Sequence, residues 1–250
     1  MIEIIGRKGT SSVLLNKYNV IDAGNIFKKL ANESYKLENI WLTHAHLDHI
    51  VDIPFLLDKD VEKREKSLNI IALEETIETL KDCMFNDKIW PDFSKIDLLN
   101  GQGKMLTYTT IEIDKLYSFG NNETMEPFTT YHTNGSCGFI YTKNQKSILV
   151  TSDINQMEGV IHLLNQRKNI NHIVIECSFP SNMKELANLS QHLTPSLLFK
   201  ALKELKRDDI TVYISHTKAS YEKKINDEIS QYRGDLTIKT VNCKEISLFF

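Results

Sequence analysis

Three histidines and an aspartate stand within six residues in the stretch Trp41-Leu-Thr-His44-Ala-His46-Leu-Asp48-His49-Ile50. Imidazole nitrogen and carboxylate oxygen are the usual ligands of zinc and similar divalent ions. The stretch begins where an apolar run, Asn39-Ile-Trp-Leu-Thr43, gives way to a helical pattern. In an extended segment His44 and His46 project to the same side, because side chains alternate with period two. Asp48 and His49 follow once the chain has begun to turn, and as adjacent residues they point in different directions. The spacing therefore suits two neighbouring metal sites better than one. A solvated surface loop would account for an isolated His-x-His pair. It accounts poorly for four metal-type ligands directly after a buried-looking strand, and a metal site requires further ligands elsewhere.

Candidates for those ligands fall at the ends of apolar runs. His132 ends Pro127-Phe-Thr-Thr-Tyr131, Asp153 ends Ile148-Leu-Val-Thr-Ser152, and His216 ends Thr211-Val-Tyr-Ile-Ser215. Glu176 closes the apolar run that starts at His172, and His192 lies in Gln191-His-Leu-Thr-Pro195, just ahead of a helix. Strand ends present groups to a common rim of a sheet, so six of the eight histidines at such places form a pattern that a lone histidine does not. His162, in a helical segment, and His172, at a strand start, are read as structural or surface residues.

The elements that must position these groups follow from periodicity. Short strands are expected over 2–5, 11–15 and 18–21, broken at Gly9 and Gly24, on alternation and β-branched content. Ile26, Phe27, Leu30 and Ala31 recur at helical spacing. A strand from Asn39 leads into the histidine cluster, with a helix after it through Leu57. Further strands are expected over 69–73, 105–119, 125–131, 136–141, 147–151, 172–177, 210–214, 236–241 and 247–250, the pair 136–141 and 147–151 joined by a turn at Lys143-Asn144-Gln145-Lys146. Helices are expected over 74–84, around Met157 to Leu164, over 183–189, from Pro195, favoured at a first helical position, and around Tyr221 to Tyr232. Strands and helices are mixed, with meanders early and β-α alternation late. The expected fold class is α/β, two sheets packed together and covered by helices, in a single domain over residues 1–250.

At 250 residues, with 41% hydrophobic and 25% charged residues, the chain has the composition of an ordinary globular protein with a sizeable core. Net charge is −3, and Lys and Arg are spread, with only short runs such as Lys63-Arg64. That argues against a nucleic-acid footprint, which needs a basic stripe, and leaves a small anionic substrate open. No apolar run reaches membrane-spanning length, and the start, Met-Ile-Glu-Ile-Ile-Gly-Arg-Lys, alternates like a strand rather than a signal peptide. Cys83, Cys137, Cys177 and Cys243 are far apart without a Cys-x-x-Cys pair. They are read as free thiols in a reducing compartment, with the cytoplasm as the expected setting.

The order His-x-His-x-Asp-His, then His132, Asp153 and His216, resembles the metallo-β-lactamase superfamily, and Asp22-Ala-Gly24 is similar to that superfamily's first motif. The resemblance runs from about Val13 to His216. It implies an αββα sandwich of two mixed β-sheets flanked by helices, and a two-metal site. It implies that His44, His46 and His132 bind one ion, that Asp48, His49 and His216 bind the other, and that Asp153 bridges them. A hydroxide shared between the ions is then the nucleophile, with Asp48 counted in the catalytic group as well as among the ligands. Asp22 is implied to orient a ligand or to serve structure. Zinc suits a histidine-rich site, and mixed nitrogen and oxygen ligands also admit manganese or iron. Every expected metal position is filled, which sets aside a scaffold protein that merely kept the fold. His44-Ala-His46, where redox members commonly carry His-x-Glu, points to hydrolysis.

Four further segments resemble the class II cyclic nucleotide phosphodiesterases: Ile175-Glu-Cys-Ser-Phe-Pro180, Gln191-His-Leu-Thr-Pro195, Asn86-Asp-Lys-Ile-Trp-Pro-Asp-Phe93 and His132-Thr-Asn-Gly-Ser-Cys-Gly-Phe139. The implied activity is hydrolysis of 3′,5′-cyclic nucleotides, cAMP or cGMP, to nucleoside 5′-monophosphates. His192, held by Glu176, is the candidate general acid for the leaving 3′ oxygen. Ser136 and Asn134 are candidate phosphate contacts and Trp90 a candidate base contact, with turn formation and core packing as their ordinary alternatives. The competing assignment is a tRNase Z-like endoribonuclease of the same superfamily, in which a strand-end glutamate and a later His-x-Thr also stand beside the metals. The absence of a long Gly- and Lys-rich insertion and of a basic stripe argues against it. Exposed sheet edges in such folds often pair, so a homodimer is the expected assembly.

Overall fold

Parallel pairing aligns strand ends, and in this chain it aligns them twice, once in each of two compact units. The computed structural model describes residues 1–7, 10–241 and 245–248. The expected break at Gly9, the end of the last strand at Phe250 and the thiol of Cys243 lie outside the described residues.

The first unit spans residues 1–5, 10–112 and the C-terminal strand. Its elements are β1 (Ile2–Arg7), β2 (Thr10–Asn16), β3 (Asn19–Ile21), α1 (Phe27–Leu30), β4 (Asn39–Trp41), α2 (Leu47–Ile50), α3 (Asp52–Lys59), β5 (Leu68–Ala72), α4 (Glu74–Cys83), β6 (Leu106–Thr110) and β14 (Glu245–Leu248). They form one mixed sheet in the order β14-β1-β2-β3-β4-β5-β6. Strands β3 to β6 run parallel, with Val20, Ile40 and Ile70 in register, so the chain leaves β3 at Asp22 and β4 at Leu42 on the same edge. The buried side chains of Val20, Ile40, Leu42, Ile53, Leu57 and Ile70 belong to its core. The helix expected after the histidines is two helices in succession. Pro54 has no N–H to give the Ile50 carbonyl, which breaks the ladder at Val51.

The second unit is built chiefly from residues 113–241. It holds β7 (Tyr117–Ser118), β8 (Glu123–Thr129), β9 (Cys137–Lys143), β10 (Lys146–Val150), α5 (Glu158–Gln166), β11 (Ile170–Glu176), α6 (Lys184–Leu189), α7 (Pro195–Leu202), β12 (Thr211–Ser215), α8 (Glu222–Ile229) and β13 (Thr237–Thr240). The sheet order is β13-β12-β11-β10-β9-β8-β7, antiparallel from β7 to β10 and parallel from β10 to β13. Asn144 and Gln145, both at positive φ, turn β9 into β10 as a two-residue hairpin requires. Pro195 opens α7 as expected, and the Thr194 side chain caps it by accepting the Leu197 N–H. Ile140, Leu149, Ile173, Ile175, Leu198 and Ile214 are buried in this unit's core.

The alternation over 105–119 is not one strand. Strand β6 stops at Thr110, the chain passes from one unit to the other after Glu112, and Asp114 takes a left-handed φ of 61° before β7. Among the described residues no helix is long and apolar enough to cross a membrane. Cys83, Cys137 and Cys177 are free thiols.

Candidate functional site

In the first unit the His44–His49 stretch leaves β4 beside the end of β3, and Asp22 organises it. Asp22 sits at φ 57°, a left-handed conformation that aspartate tolerates better than most residues. Its N–H donates to the Trp41 carbonyl at 3.0 Å and the next N–H, of Ala23, to the His49 carbonyl at 2.7 Å. The carboxylate accepts the Thr43 N–H at 2.9 Å and the Thr43 hydroxyl at 2.8 Å, and it lies 2.8 Å from His49 Nδ1. All of these groups are buried. A carboxylate on Nδ1 makes that nitrogen the N–H donor and leaves Nε2 as the outward nitrogen, the usual arrangement behind a metal-binding histidine. His44 is also buried, with Nδ1 3.1 Å from the Thr43 hydroxyl, while His46 is exposed and Asp48 half-buried. The His44 ring lies 4.5 Å from that of His46 and 4.2 Å from that of His49, so three imidazoles converge within this unit.

In the second unit strand direction does the gathering. Since β10, β11 and β12 are parallel, Asp153, Glu176 and His216 emerge at one edge. Strand β9 runs antiparallel to β10, so the β8–β9 loop carrying His132 joins them there. Ser152 and His216 leave the sheet at φ 56° and 53°, left-handed turns that cost about 1–3 kcal/mol each and persist where surrounding contacts over-determine them. His216 Nε2 lies 3.0 Å from Asp153 Oδ1, and His132 Nε2 3.5 Å from Asp153 Oδ2. His132 gives its Nδ1–H to the Gln191 carbonyl at 3.0 Å, which again leaves Nε2 as the lone-pair nitrogen.

Glu176 is the other organiser. Its Oε1 lies 2.8 Å from His192 Nδ1 and accepts the N–H groups of Ile154 and Leu193, each at 3.2 Å. Its Oε2 accepts the Ser178 N–H at 2.9 Å and the Ser178 hydroxyl at 2.7 Å. That hydroxyl also stands 3.0 Å from the His216 carbonyl and 3.3 Å from His192 Nδ1. Asp153, Glu176 and His192 thereby form one buried cluster whose ligand-type atoms lie within 4.8 Å of each other. Burial alone would push the His192 imidazolium down. The hydrogen bond His192 donates to Glu176, then the charges of Glu176 and Asp153, outweigh it against a smaller opposing effect of Lys218, and the imidazole is held above its ordinary value.

The sequence candidates thus divide between the units, His44, His46, Asp48 and His49 in the first and His132, Asp153, Glu176, His192 and His216 in the second. Ser136 is a loop-closing residue. Its hydroxyl donates to the Thr130 carbonyl at 3.2 Å and accepts the Thr133 N–H at 3.3 Å. Asn134 is exposed on the same loop. Trp90 packs on the first unit's core, its ring 5.7 Å from that of Phe55. His162 is exposed on α5 beside Gln166, and His172 lies 3.5 Å from the Tyr213 hydroxyl. Residue types alone do not single out Ser178 or the Gln191 carbonyl. A cavity of about 460 Å³ lined by Met157, Ile161, Leu193 and Leu197 contains none of the candidate ligands.

The family model described as cAMP phosphodiesterases class-II matches residues 7–225. The chain is 25% identical over 256 residues to 3′,5′-cyclic-nucleotide phosphodiesterase 1 of Saccharomyces cerevisiae, a match covering 87% of this chain and 67% of the yeast protein. It is 24% identical over 229 residues to a probable 3′,5′-cyclic-nucleotide phosphodiesterase of Yersinia pestis, covering 80% of this chain and 60% of that one. It therefore spans about two thirds of the length of these relatives. Among solved structures, unliganded yeast PDE1 superposes with a TM-score of 0.79 at 17% identity over 99% of each chain. The metallo-β-lactamase fold protein YhfI of Bacillus subtilis does so with a TM-score of 0.75 at 17% identity, over 99% of this chain and all of that one. Two mixed sheets with flanking helices and these likenesses make the fold that of the metallo-β-lactamases, as the histidine motif implied.

Proposed function

The chain belongs to the class II cAMP phosphodiesterase family, and on that premise we propose that it is a metal-dependent phosphodiesterase. It opens 3′,5′-cyclic nucleotides, cAMP or cGMP, to nucleoside 5′-monophosphates. The observation that carries this assignment is the buried His192–Glu176 pair at 2.8 Å beside Asp153, an imidazole held for proton donation next to a metal-type carboxylate.

The donors present suit divalent ions. His49 and His132 both have Nδ1 committed, to Asp22 and to the Gln191 carbonyl, and keep Nε2 for coordination. The ligand order of the metallo-β-lactamase fold, rather than any distance, assigns His44, His46 and His132 to one ion, Asp48, His49 and His216 to a second, and Asp153 to both, with the two units acting as one hydrolase domain. Zinc fits these ligands, and manganese or iron is admitted. Ions held there would supply Lewis acidity toward phosphoryl oxygens and a water activated at neutral pH.

The chain's own residues supply the rest. In the net reaction water oxygen bonds to phosphorus, the bond from phosphorus to O3′ breaks, and O3′ leaves needing a proton. His192 delivers it from Nε2, because Glu176 occupies Nδ1 and fixes the ring. Such a positioned donor contributes about 10²–10⁴-fold. Ser178 gives its N–H to Glu176 and places its hydroxyl 3.0 Å from the His216 carbonyl, so the donor pair and one ligand loop are held to the same residue. A cytoplasmic setting, supported by the three free thiols, and a homodimer through an exposed sheet edge complete the proposal.

Purified protein supplied with zinc or manganese should convert cAMP or cGMP to the 5′-monophosphate and lose activity to a chelator. Inactivity on both, with cleavage of a pre-tRNA at its 3′ end, would replace the assignment with the endoribonuclease. Sedimentation measures the assembly.

A further inference from the structure

Five described lysines are half-buried: Lys29, Lys36, Lys104, Lys143 and Lys218. Four of them rest on a carboxylate, Lys29 on Glu3, Lys36 on Glu33, Lys104 on Asp97 and Lys143 on Glu123. Lys218 alone among them has no carboxylate and no hydrogen-bond acceptor on its ammonium within the described residues. A lysine ammonium without a protein counter-ion is free to take an anion.

Its position says which anion. Lys218 stands two residues after His216. Its N–H donates to the Ser178 carbonyl at 3.3 Å, and its own carbonyl accepts the Tyr221 N–H at 2.9 Å. The backbone at Lys218 is therefore pinned to Ser178, which also holds Glu176 and the His216 carbonyl. The lysine charge is near enough to His192 to oppose its protonation. Glu176, which Ser178 holds, and Asp153 of the same buried cluster are engaged by His192 and His216.

We propose that Lys218 is a substrate-binding residue whose ammonium pairs with a non-bridging oxygen of the phosphate group, a role that rests on the phosphodiesterase assignment. An ammonium binds phosphate as a compact point charge. A non-bridging oxygen is anionic before and during P–O cleavage, so the pairing contributes similarly to ground and transition states and is read mainly in KM.

The test compares metal-loaded wild type with Lys218→Gln and Lys218→Arg. The Gln variant should raise KM for cAMP about tenfold or more, the value of a charge-assisted hydrogen bond, and change kcat by less than about threefold. The Arg variant should recover most of the loss. Metal content and Tm should match wild type, which a structural role would not allow. An unchanged KM in Lys218→Gln, or loss that Arg does not rescue, overturns the proposal. The same three proteins are titrated with inorganic phosphate and 5′-AMP by calorimetry. If wild type turns over no cyclic nucleotide, the phosphodiesterase assignment falls, yet about tenfold weaker phosphate binding by the Gln variant upholds Lys218 as an anion-binding residue. Equal Kd values, or no binding by wild type, overturn that as well.

Discussion

Replacing Glu176 by glutamine keeps the shape of the side chain and removes its charge, which separates two things the carboxylate does. Five donor groups converge on its oxygens: the N–H groups of Ile154, Leu193 and Ser178, the Ser178 hydroxyl and His192 Nδ1–H. A glutamine brings an NH₂ of its own, so one side of the amide must face donors. With the carbonyl toward Ile154, Leu193 and His192, the Ser178 N–H loses its acceptor. A buried donor left so costs about 1–3 kcal/mol, which lowers Tm by several degrees. The electrostatic consequence falls on His192. Burial pushes its imidazolium down, and with the Glu176 hydrogen bond weakened and its charge gone, only Asp153 still raises it. In the wild type the folded value is raised. Its stabilising contribution is therefore complete below the unfolded value near 6.5 and fades as pH climbs through the folded value. The wild-type excess in stability over Glu176→Gln should shrink across that window. The proton-donating form should also be lost at lower pH in the variant. With orientation partly kept, kcat at pH 7.5 should fall about 10–100-fold, less than the full contribution of a general acid. Stopped assays of cAMP turnover from pH 5.5 to 9.5, with metal content measured on each sample, read both effects. A wild-type kcat and an unmoved alkaline limb would refute the donor assignment. Loss of metal in the variant would show instead that Glu176 supports a ligand.

Other perturbations address the remaining parts. Asp22→Ala frees His49 Nδ1 and the Thr43 groups, and affinity for metal should drop about 10–100-fold in a chelator competition; unchanged affinity would make Asp22 purely structural. Asp153→Ala should empty one or both ions and abolish turnover, and full occupancy by elemental analysis would end the bridging role. Gly138 lies opposite Phe128 in the β8–β9 ladder, and a Cβ there would meet the ring at 2.4 Å and the Val150 carbonyl oxygen at 2.8 Å. Gly138→Ala should therefore destabilise by about 1–3 kcal/mol in urea unfolding, while a variant as stable as wild type would mean that the β9 backbone can shift.

Much of the fold was legible because it depends on near neighbours. Alternation and β-branched residues mark strands, Pro195 marks the start of α7, and residues 143–146 mark a hairpin, all within a few positions of chain. Periodicity overran where strand pairing stops. Residues 105–119 alternate past Thr110, but the ladder ends there. His132 and Asp153 were read as strand ends and lie three residues beyond β8 and β10.

The candidate ligands His44, His46, Asp48 and His49 were visible for the same reason: they lie within six residues of chain, so their types and spacing suffice to suggest metal chemistry. What those residues are held by was not visible. Asp22 reaches His49 across 27 residues because parallel β3 and β4 end side by side, and the Gln191 carbonyl reaches His132 across 59. Glu176 and His192 could be paired on a family likeness, but the Ser178 hydroxyl that locks them to the His216 loop carries no sequence signal. Hydrogen bonds of that kind depend on strand order and on which atoms a left-handed turn brings within 3 Å. Residue types along the chain decided the chemistry available to this protein. Tertiary pairing decided which nitrogen of His49, His132 and His192 is left to use it.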